Sequence, residues 1–281
     1  MNCAMCHNCG SEAWDPVQSE NHWICNICGG WSVDLDSKID FASIYGQDYY
    51  TGSEYLNYEL STSIRKLNFQ KKIKKIKDLY PDFSKLRVLE IGSASGDFLQ
   101  LLKNDGCSLH VGIEISDYTR NIARDNGLEV ISPFDPNASE IIKALRPNLI
   151  VAWDVWEHLP TPTHIFDEYI SYCDENLIIG ITTVDSESFT AKTRQEKWRQ
   201  FHPPSHIHYP SKRSLYQFFK LRQFSIIEQF YIGYYRPLAE YLYAIFPKIQ
   251  LFKRSKLLFR IPLYINLYDI QCIFVGRHGG E

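Results

Sequence analysis

The chain lacks any run of about 18 or more uncharged apolar residues, so no membrane-spanning helix is expected. Its first residues lack the basic-then-apolar pattern of a secretory leader, and the expectation is a cytoplasmic protein. An excess of one charge is missing too: 30 basic and 33 acidic side chains leave a formal net charge of −3. That balance argues against a nucleic-acid binder that works through overall electrostatics, although a local basic patch stays open. No internal repeat and no low-complexity segment is present. The glycine turn after residue 91 is neither G-x-G-x-x-G nor a Gly-Lys-Ser/Thr loop, so the dinucleotide and P-loop fingerprints are not met.

What is present begins with cysteine. Eight occur, five of them in the first 28 residues. A reducing compartment makes disulfides an unsuitable reading. Cys6 and Cys9, then Cys25 and Cys28, form C-x2-C-x15-C-x2-C, and a glycine (Gly10, Gly29) follows each pair. Four thiolates in two knuckles suit a tetrahedral zinc ion, and a site filled by protein ligands is structural. So small a piece needs its metal to fold. Cys3 makes a further C-x2-C with Cys6, and His7 and His22 lie nearby, so the register stays open; Cys6, Cys9, Cys25 and Cys28 are the assignment. The expected organisation is a ribbon over 1–38, a tyrosine-rich and helical extension over 39–84, and a larger domain over 85–281.

In the extension, Ile64, Leu67, Ile73, Ile76 and Leu79 predict a helix over 62–80. From Leu86 short apolar strands alternate with helices of about ten residues. Strands are expected at 86–91, 109–114, 128–132, 148–153 and 176–181, and helices near 96–105, 117–126, 137–145 and 162–173. Ser116 is placed to cap the second helix and Gly127 to stop it. A further helix near 211–220, capped by Ser211, precedes strands at 223–230 and 268–275. The pattern implies an α/β protein with a doubly wound, mostly parallel sheet covered on both faces.

The stretch VLEIGSASGDFLQLL runs from a buried strand through Gly92, Ala94 and Gly96 into a helix. Small residues permit close backbone approach, and the helix start offers N–H groups. The second strand ends at Glu114. An acid there lies beside the first turn and can accept both hydroxyls of a ribose.

EIGSASGDF, GIEIS and AWDVWEHLPTP, in this order, resemble the class I S-adenosylmethionine-dependent methyltransferases over residues 86 to about 230. The resemblance implies a seven-stranded sheet in the order 3-2-1-4-5-7-6 with the last strand antiparallel. It implies S-adenosylmethionine as cofactor, with Glu90, Gly92, Ala94 and Gly96 at its methionine end and Glu114 on its ribose. Phe134 and Asp135 would flank the adenine. Trp153, Asp154 and Val155 would lie near the reacting methyl. Ala94 departs from the family's middle glycine. The ribbon followed by Tyr45, Tyr49, Tyr50 and Gly52 looks like methyltransferases of surface-glycan or small-molecule pathways.

Residues 198–219 hold His202, His206 and His208 between prolines, on the side where acceptors enter. Histidine can take a hydroxyl's proton near neutral pH. Trp198, Pro204, His206, Tyr209 and Ser211 match the family's pattern, which favours His206 as base or acceptor-orienter, with His158 second. Trp153, Trp156, Tyr45, Tyr49 and Tyr50 are candidates for an aromatic lid or for plain core. Residues 236–266 mix apolar and basic side chains and predict a helical insertion; peripheral membrane contact stays open there. The reading is methyl transfer to a hydroxyl of a small metabolite or a nucleotide- or lipid-linked sugar. An RNA base methyltransferase and a non-catalytic zinc or cofactor scaffold are the alternatives. Nothing in the sequence fixes the oligomeric state.

Overall fold

The computed structural model describes residues 5–12, 16–18, 22–33, 41–53, 58, 60–246, 248–249, 251–252 and 255–277. Cys3, Lys253 and Arg254 lie outside them. No helix among the described residues is long and apolar enough to cross a membrane.

Three short strands open the chain: β1 (Pro16–Gln18), β2 (Trp23–Cys25) and β3 (Trp31–Ser32). Helices α1 (Phe41–Ile44) and α2 (Thr62–Leu79) follow. The alternating region runs β4 (Arg87–Ile91), α3 (Asp97–Asn104), β5 (Leu109–Ile113), α4 (Asp117–Asp125), β6 (Val130–Ile131), α5 (Ala138–Leu145), β7 (Leu149–Trp153), α6 (Pro162–Ser171) and β8 (Ile178–Val184). Then come α7 (Phe189–Arg194), β9 (His208–Tyr209), α8 (Lys212–Lys220), β10 (Phe224–Tyr231), β11 (Tyr234–Pro237), α9 (Leu238–Ile245), β12 (Pro262–Ile265) and β13 (Ile270–Arg277).

The main sheet has seven strands in the order β10-β13-β8-β7-β4-β5-β6. The pairs β4–β5, β5–β6 and β7–β8 are parallel, while β13 is antiparallel to both β8 and β10. This is the order 3-2-1-4-5-7-6, a Rossmann-like methyltransferase sheet. Every residue of β7 is buried, as a strand covered on both faces requires.

The chain divides into two compact units: 1–40 with 139–232 and 267–281, and 41–138 with 233–266. In the second, α3 buries Phe98, Leu99 and Leu102 along one stripe, the helical spacing of a core-facing surface. The 236–266 stretch belongs here and is only partly helical. Its ends form an antiparallel ladder, β11 with β12, around α9. Asn68 of α2 holds β11 from the side, donating to Tyr235 O and accepting from Tyr235 N at 2.9 and 2.7 Å.

In the first unit, Trp156, Phe166 and Phe218 interlock with ring centroids 5.0 and 5.1 Å from the tryptophan. Trp153 is buried against Phe274 at 6.1 Å. Both tryptophans are core residues, so of the two readings open for them the core is the one observed and the lid is not. Helix α8 starts at a reciprocal cap: Ser211 Oγ accepts from Ser214 N, and Ser214 Oγ accepts from Ser211 N, at 3.0 Å each. The cysteine-bearing strands also lie in this unit, in a four-stranded sheet β1-β2-β3-β9. Its last strand therefore comes from residues 208–209, far along the chain.

Candidate functional site

The turn between β4 and α3 is held open by backbone conformation. Gly92, Ala94 and Gly96 have φ of 69°, 47° and 76°. The left-handed region is ordinary for glycine and costly for alanine. A Cβ on Gly96 would run into Leu128 Cδ1, so a side chain there would require Leu128 to shift. Glu114, 4% exposed, sits at the carboxyl end of β5. Its Oε2 accepts from Ala94 N and its Oε1 from Ser116 N, both at 2.7 Å. One carboxylate thus fastens the first turn to the second strand. Ser116 takes the N-cap position of α4, but its side chain makes no cap bond; its amide donates to Glu114. Each carboxylate oxygen keeps a second lone pair for a hydroxyl donor.

Three buried polar atoms at this turn have no partner among the described residues: Glu90 Oε2, Ser93 Oγ and Ser95 Oγ. Buried oxygens left without a protein partner can bond a polar ligand or a water. Burial pushes the Glu90 carboxyl well above its usual range, with Lys72 opposing the shift. Glu114 is raised as well, by burial, against the pull of its two amides.

A cavity of about 250 Å³ adjoins the turn at Ser95 and Gly96, with Tyr58, Arg65 and Asp97 in its wall. Arg65 lies 3.4 Å from the Tyr58 ring centroid and pairs with Asp97 at 2.7 Å. Tyr50 meets Tyr49, Tyr58 and Tyr118 at 5.1, 5.0 and 6.1 Å, and Tyr45 meets Tyr49 at 5.2 Å. The tyrosine half of the expected lid is therefore a ring cluster in the unit that holds the turn. Past β6, Phe134 is 72% exposed, and Asp135 Oδ1 accepts from Asn137 N at 2.9 Å. Tyr58, Arg65 and Asp97 were not singled out from sequence; the tyrosine density around them was the available signal.

The other unit gathers the histidines. Asp154, at the end of β7, has φ 59°; its amide donates to Thr182 O and Thr182 Oγ1. Glu157 and His158 follow in a single 3-10 turn. His158 Nδ1 lies 2.7 Å from Ser205 O, and His206 Nδ1 lies 2.8 Å from Gln200 O. A carbonyl only accepts, so both Nδ1 atoms carry the proton and both Nε2 atoms carry the lone pair. The two rings meet edge-on with centroids 4.5 Å apart. Burial lowers His158 to about 4 and holds His206 well below its ordinary value. His202 bonds Ser205 Oγ at 2.8 Å. His208 is different. Its Nδ1 accepts from Ser32 Oγ at 2.9 Å and its Nε2 donates to Pro160 O at 3.1 Å, so both nitrogens serve the structure.

A family model described as a methyltransferase domain matches residues 62–229. The chain belongs to the class I S-adenosylmethionine-dependent methyltransferases. Solved structures agree on the fold of this methyltransferase. An S-adenosylmethionine-dependent methyltransferase from Thermotoga maritima superposes with a TM-score of 0.51 at 16% identity, over 85% of this chain and 100% of that one. Magnesium protoporphyrin IX methyltransferase from Synechocystis, with bound S-adenosylhomocysteine, gives 0.51 at 13% identity over the same shares, 85% and 100%. A methyltransferase from Archaeoglobus fulgidus gives 0.50 at 17% identity, over 85% and 100%. No curated protein matches the sequence.

The methyltransferase also brings Cys6, Cys9, Cys25 and Cys28 together, with their sulfurs within 4.8 Å of one another. Cys6 Sγ and Cys28 Sγ are 3.9 Å apart. Four thiolates about 2.3 Å from one tetrahedral ion would be spaced by about 3.8 Å. Gly10 and Gly29, with φ of 73° and 71°, let each knuckle turn back, and their amides donate to Cys6 O and Cys25 O. The Gly30 amide points at Cys28 Sγ, 3.4 Å away. His22 lies against Trp31, and His7 against His208, outside the set of four sulfurs.

Proposed function

We propose that this methyltransferase moves the methyl group of S-adenosylmethionine to a hydroxyl of a small metabolite or a sugar-containing precursor. The observation that carries the cofactor reading is the Glu114 carboxylate, clamped to the Ala94 amide beside three buried oxygens that have no partner among the described residues. The donor set fits the cofactor. Glu114 would accept the ribose hydroxyls, and the turn at Gly92–Gly96 would receive the methionine end. Bound there, the cofactor supplies an electrophilic methyl on a sulfonium.

The acceptor needs a group that removes its proton as the bond to carbon forms. His206 and His158 support that role, because each presents a neutral imidazole with its lone pair on Nε2. His208 is withdrawn as a base, since Ser32 and Pro160 occupy both its nitrogens. The four cysteines are read as a structural zinc site: their number, softness and spacing are those of a closed tetrahedral shell.

Calorimetry with S-adenosylmethionine tests the cofactor assignment. Glu114→Gln keeps the side-chain volume but removes one acceptor, and should weaken binding at least about tenfold, as losing a charge-assisted bond does. Unchanged affinity would remove the ribose assignment. Incubation with methyl-labelled cofactor and fractionated extract then reads the acceptor class. Label in the small-molecule or glycan fraction supports the proposal; label in RNA replaces it.

A further inference from the structure

Glu157 takes no part in the functions described so far, yet it is a buried carboxylate, 2% exposed, at the carboxyl edge of the parallel strands. It stands in the turn after β7, and Thr183 near the end of β8 donates its hydroxyl to Glu157 Oε2 at 2.7 Å. The loop carrying His206 is tied to the same turn, because Ile207 N donates to Glu157 O at 2.8 Å. One potential ligand atom from each of Glu157, His158 and His206 lies within 4.8 Å of the other two.

We propose that Glu157, His158 and His206 form a divalent-cation site, separate from the cysteine cluster, that takes the acceptor's oxygen as a further ligand. Three features support it. The set is two imidazoles and one carboxylate, which suits a borderline first-row ion such as Mn²⁺, Fe²⁺, Co²⁺ or Zn²⁺ better than Ca²⁺. Each side chain is already oriented by a second group. His158 and His206 donate Nδ1–H to the carbonyls of Ser205 and Gln200, and Glu157 accepts from Thr183. Main-chain carbonyls behind ligating histidines fix the tautomer that turns Nε2 to the ion. An ion about 2.1 Å from each ligand would space them by about 3 Å, within reach of small side-chain rotations. Finally, three protein ligands leave coordination positions open, as a reactive site needs and a structural one does not. His158 and neighbouring Asp154 keep partial exposure, which gives an ion a way in.

A hydroxyl bound to such an ion loses its proton near neutral pH, and the resulting alkoxide is the nucleophile that methyl transfer requires. The proton leaves to solvent, and with Nε2 of both histidines on the ion, the ion takes over the base role that the ligand-free geometry gives them. One electron pair on oxygen forms the O–CH3 bond as the S–CH3 pair returns to sulfur, so no redox partner is involved. This use of the ion rests on the methyl-transfer reading; the binding of the ion does not.

The test is titration of the full, zinc-loaded chain with MnCl2, following free Mn²⁺ by electron paramagnetic resonance. Manganese leaves thiolate sites to zinc, so the cysteines stay silent. The expected result is uptake of about one Mn²⁺ per chain. His206→Asn keeps a donor for the Gln200 carbonyl but removes Nε2, and should abolish uptake. Thr183→Val leaves all three ligands in place and should weaken uptake by about tenfold, the loss typical of an orienting partner. Zinc content should be the same in all three proteins. Absence of uptake by the unaltered chain overturns the site, and so does equal uptake by all three. Calorimetry with S-adenosylmethionine on the same samples separates the two readings. Cofactor binding without Mn²⁺ uptake retires the cation site alone, whereas Mn²⁺ uptake without cofactor binding upholds the site and retires its use in methyl transfer.

Discussion

On the proposed reading, Glu114 serves fold and ligand together. Its carboxylate oxygens accept from Ala94 and Ser116, and burial nevertheless raises its proton affinity above that of an exposed glutamate. The sign of the consequence is fixed. A raised carboxyl in the ligand-free fold contributes stability that is complete below the ordinary value of about 4.5 and is lost as pH rises through the raised value. Ribose hydroxyls donate best to the ionised form, so cofactor affinity should fall on acidification, starting at a pH above the usual carboxylate range. Calorimetry from pH 8 to pH 5 checks this. Affinity that stays level, or that rises on acidification, would contradict it. Glu90, raised in the same direction, adds to the same slope.

The elements most open to reading from sequence were those set by short-range pattern. The β4–turn–α3 unit, the uninterrupted apolar run of β7 and the Ser211 cap all follow from neighbours within a few residues. What failed to read depended on partners far away. Trp153 and Trp156 stand at a strand end, where an aromatic can face a ligand or the core. Phe274 and Phe218 decide for the core, and neither is near in sequence. The β11–β12 ladder hid inside an apolar-basic stretch that looked helical. Glu157 was visible beside His158, but its surroundings come from Thr183 and from the loop at 205–207. Ser116 was placed correctly at the head of α4, while the bond it makes came from Glu114 rather than from a cap.

The turn itself makes an element-scale prediction from two neighbouring positions of positive φ. Gly96→Ala should destabilise by about 1–3 kcal/mol, because it adds strain and a collision with Leu128. Ala94→Gly should not destabilise. Relief of the left-handed alanine, worth about 1–2 kcal/mol, offsets the roughly 0.4–1 kcal/mol cost of a looser unfolded chain. Thermal denaturation of the two variants gives the comparison, and equal losses would mean that the backbone at 94 is not strained.

At the scale of the whole molecule, the cysteine segment is less separable than its position in the chain suggested. β3 pairs with β9 through Trp31–Tyr209 and Ser32–His208, Ser211 Oγ donates to Cys28 O, and Ser186 Oγ donates to Gly29 O at 3.1 Å. Residues 1–38 read as an appendage because C-x2-C pairs are local, whereas the strand that completes their sheet arrives more than 170 residues later, with Ser32 and His208 separated by 176 positions. The expected metal content is about one zinc per chain, lost in Cys25→Ser. Amide hydrogen exchange on that variant should quicken at residues 206–209 as well as in the knuckles; protection unchanged at 206–209 would show the two regions to be independent.

The two-residue β9 has a consequence for the loop that precedes it. So short a ladder has no persistence of its own, and it borders the histidines on one side and the thiolates on the other. If the thiolates hold zinc, its loss from them alone would therefore blur the aim of His206, and an assay of methyl transfer would register the metal content of the preparation as faithfully as it registers a mutation.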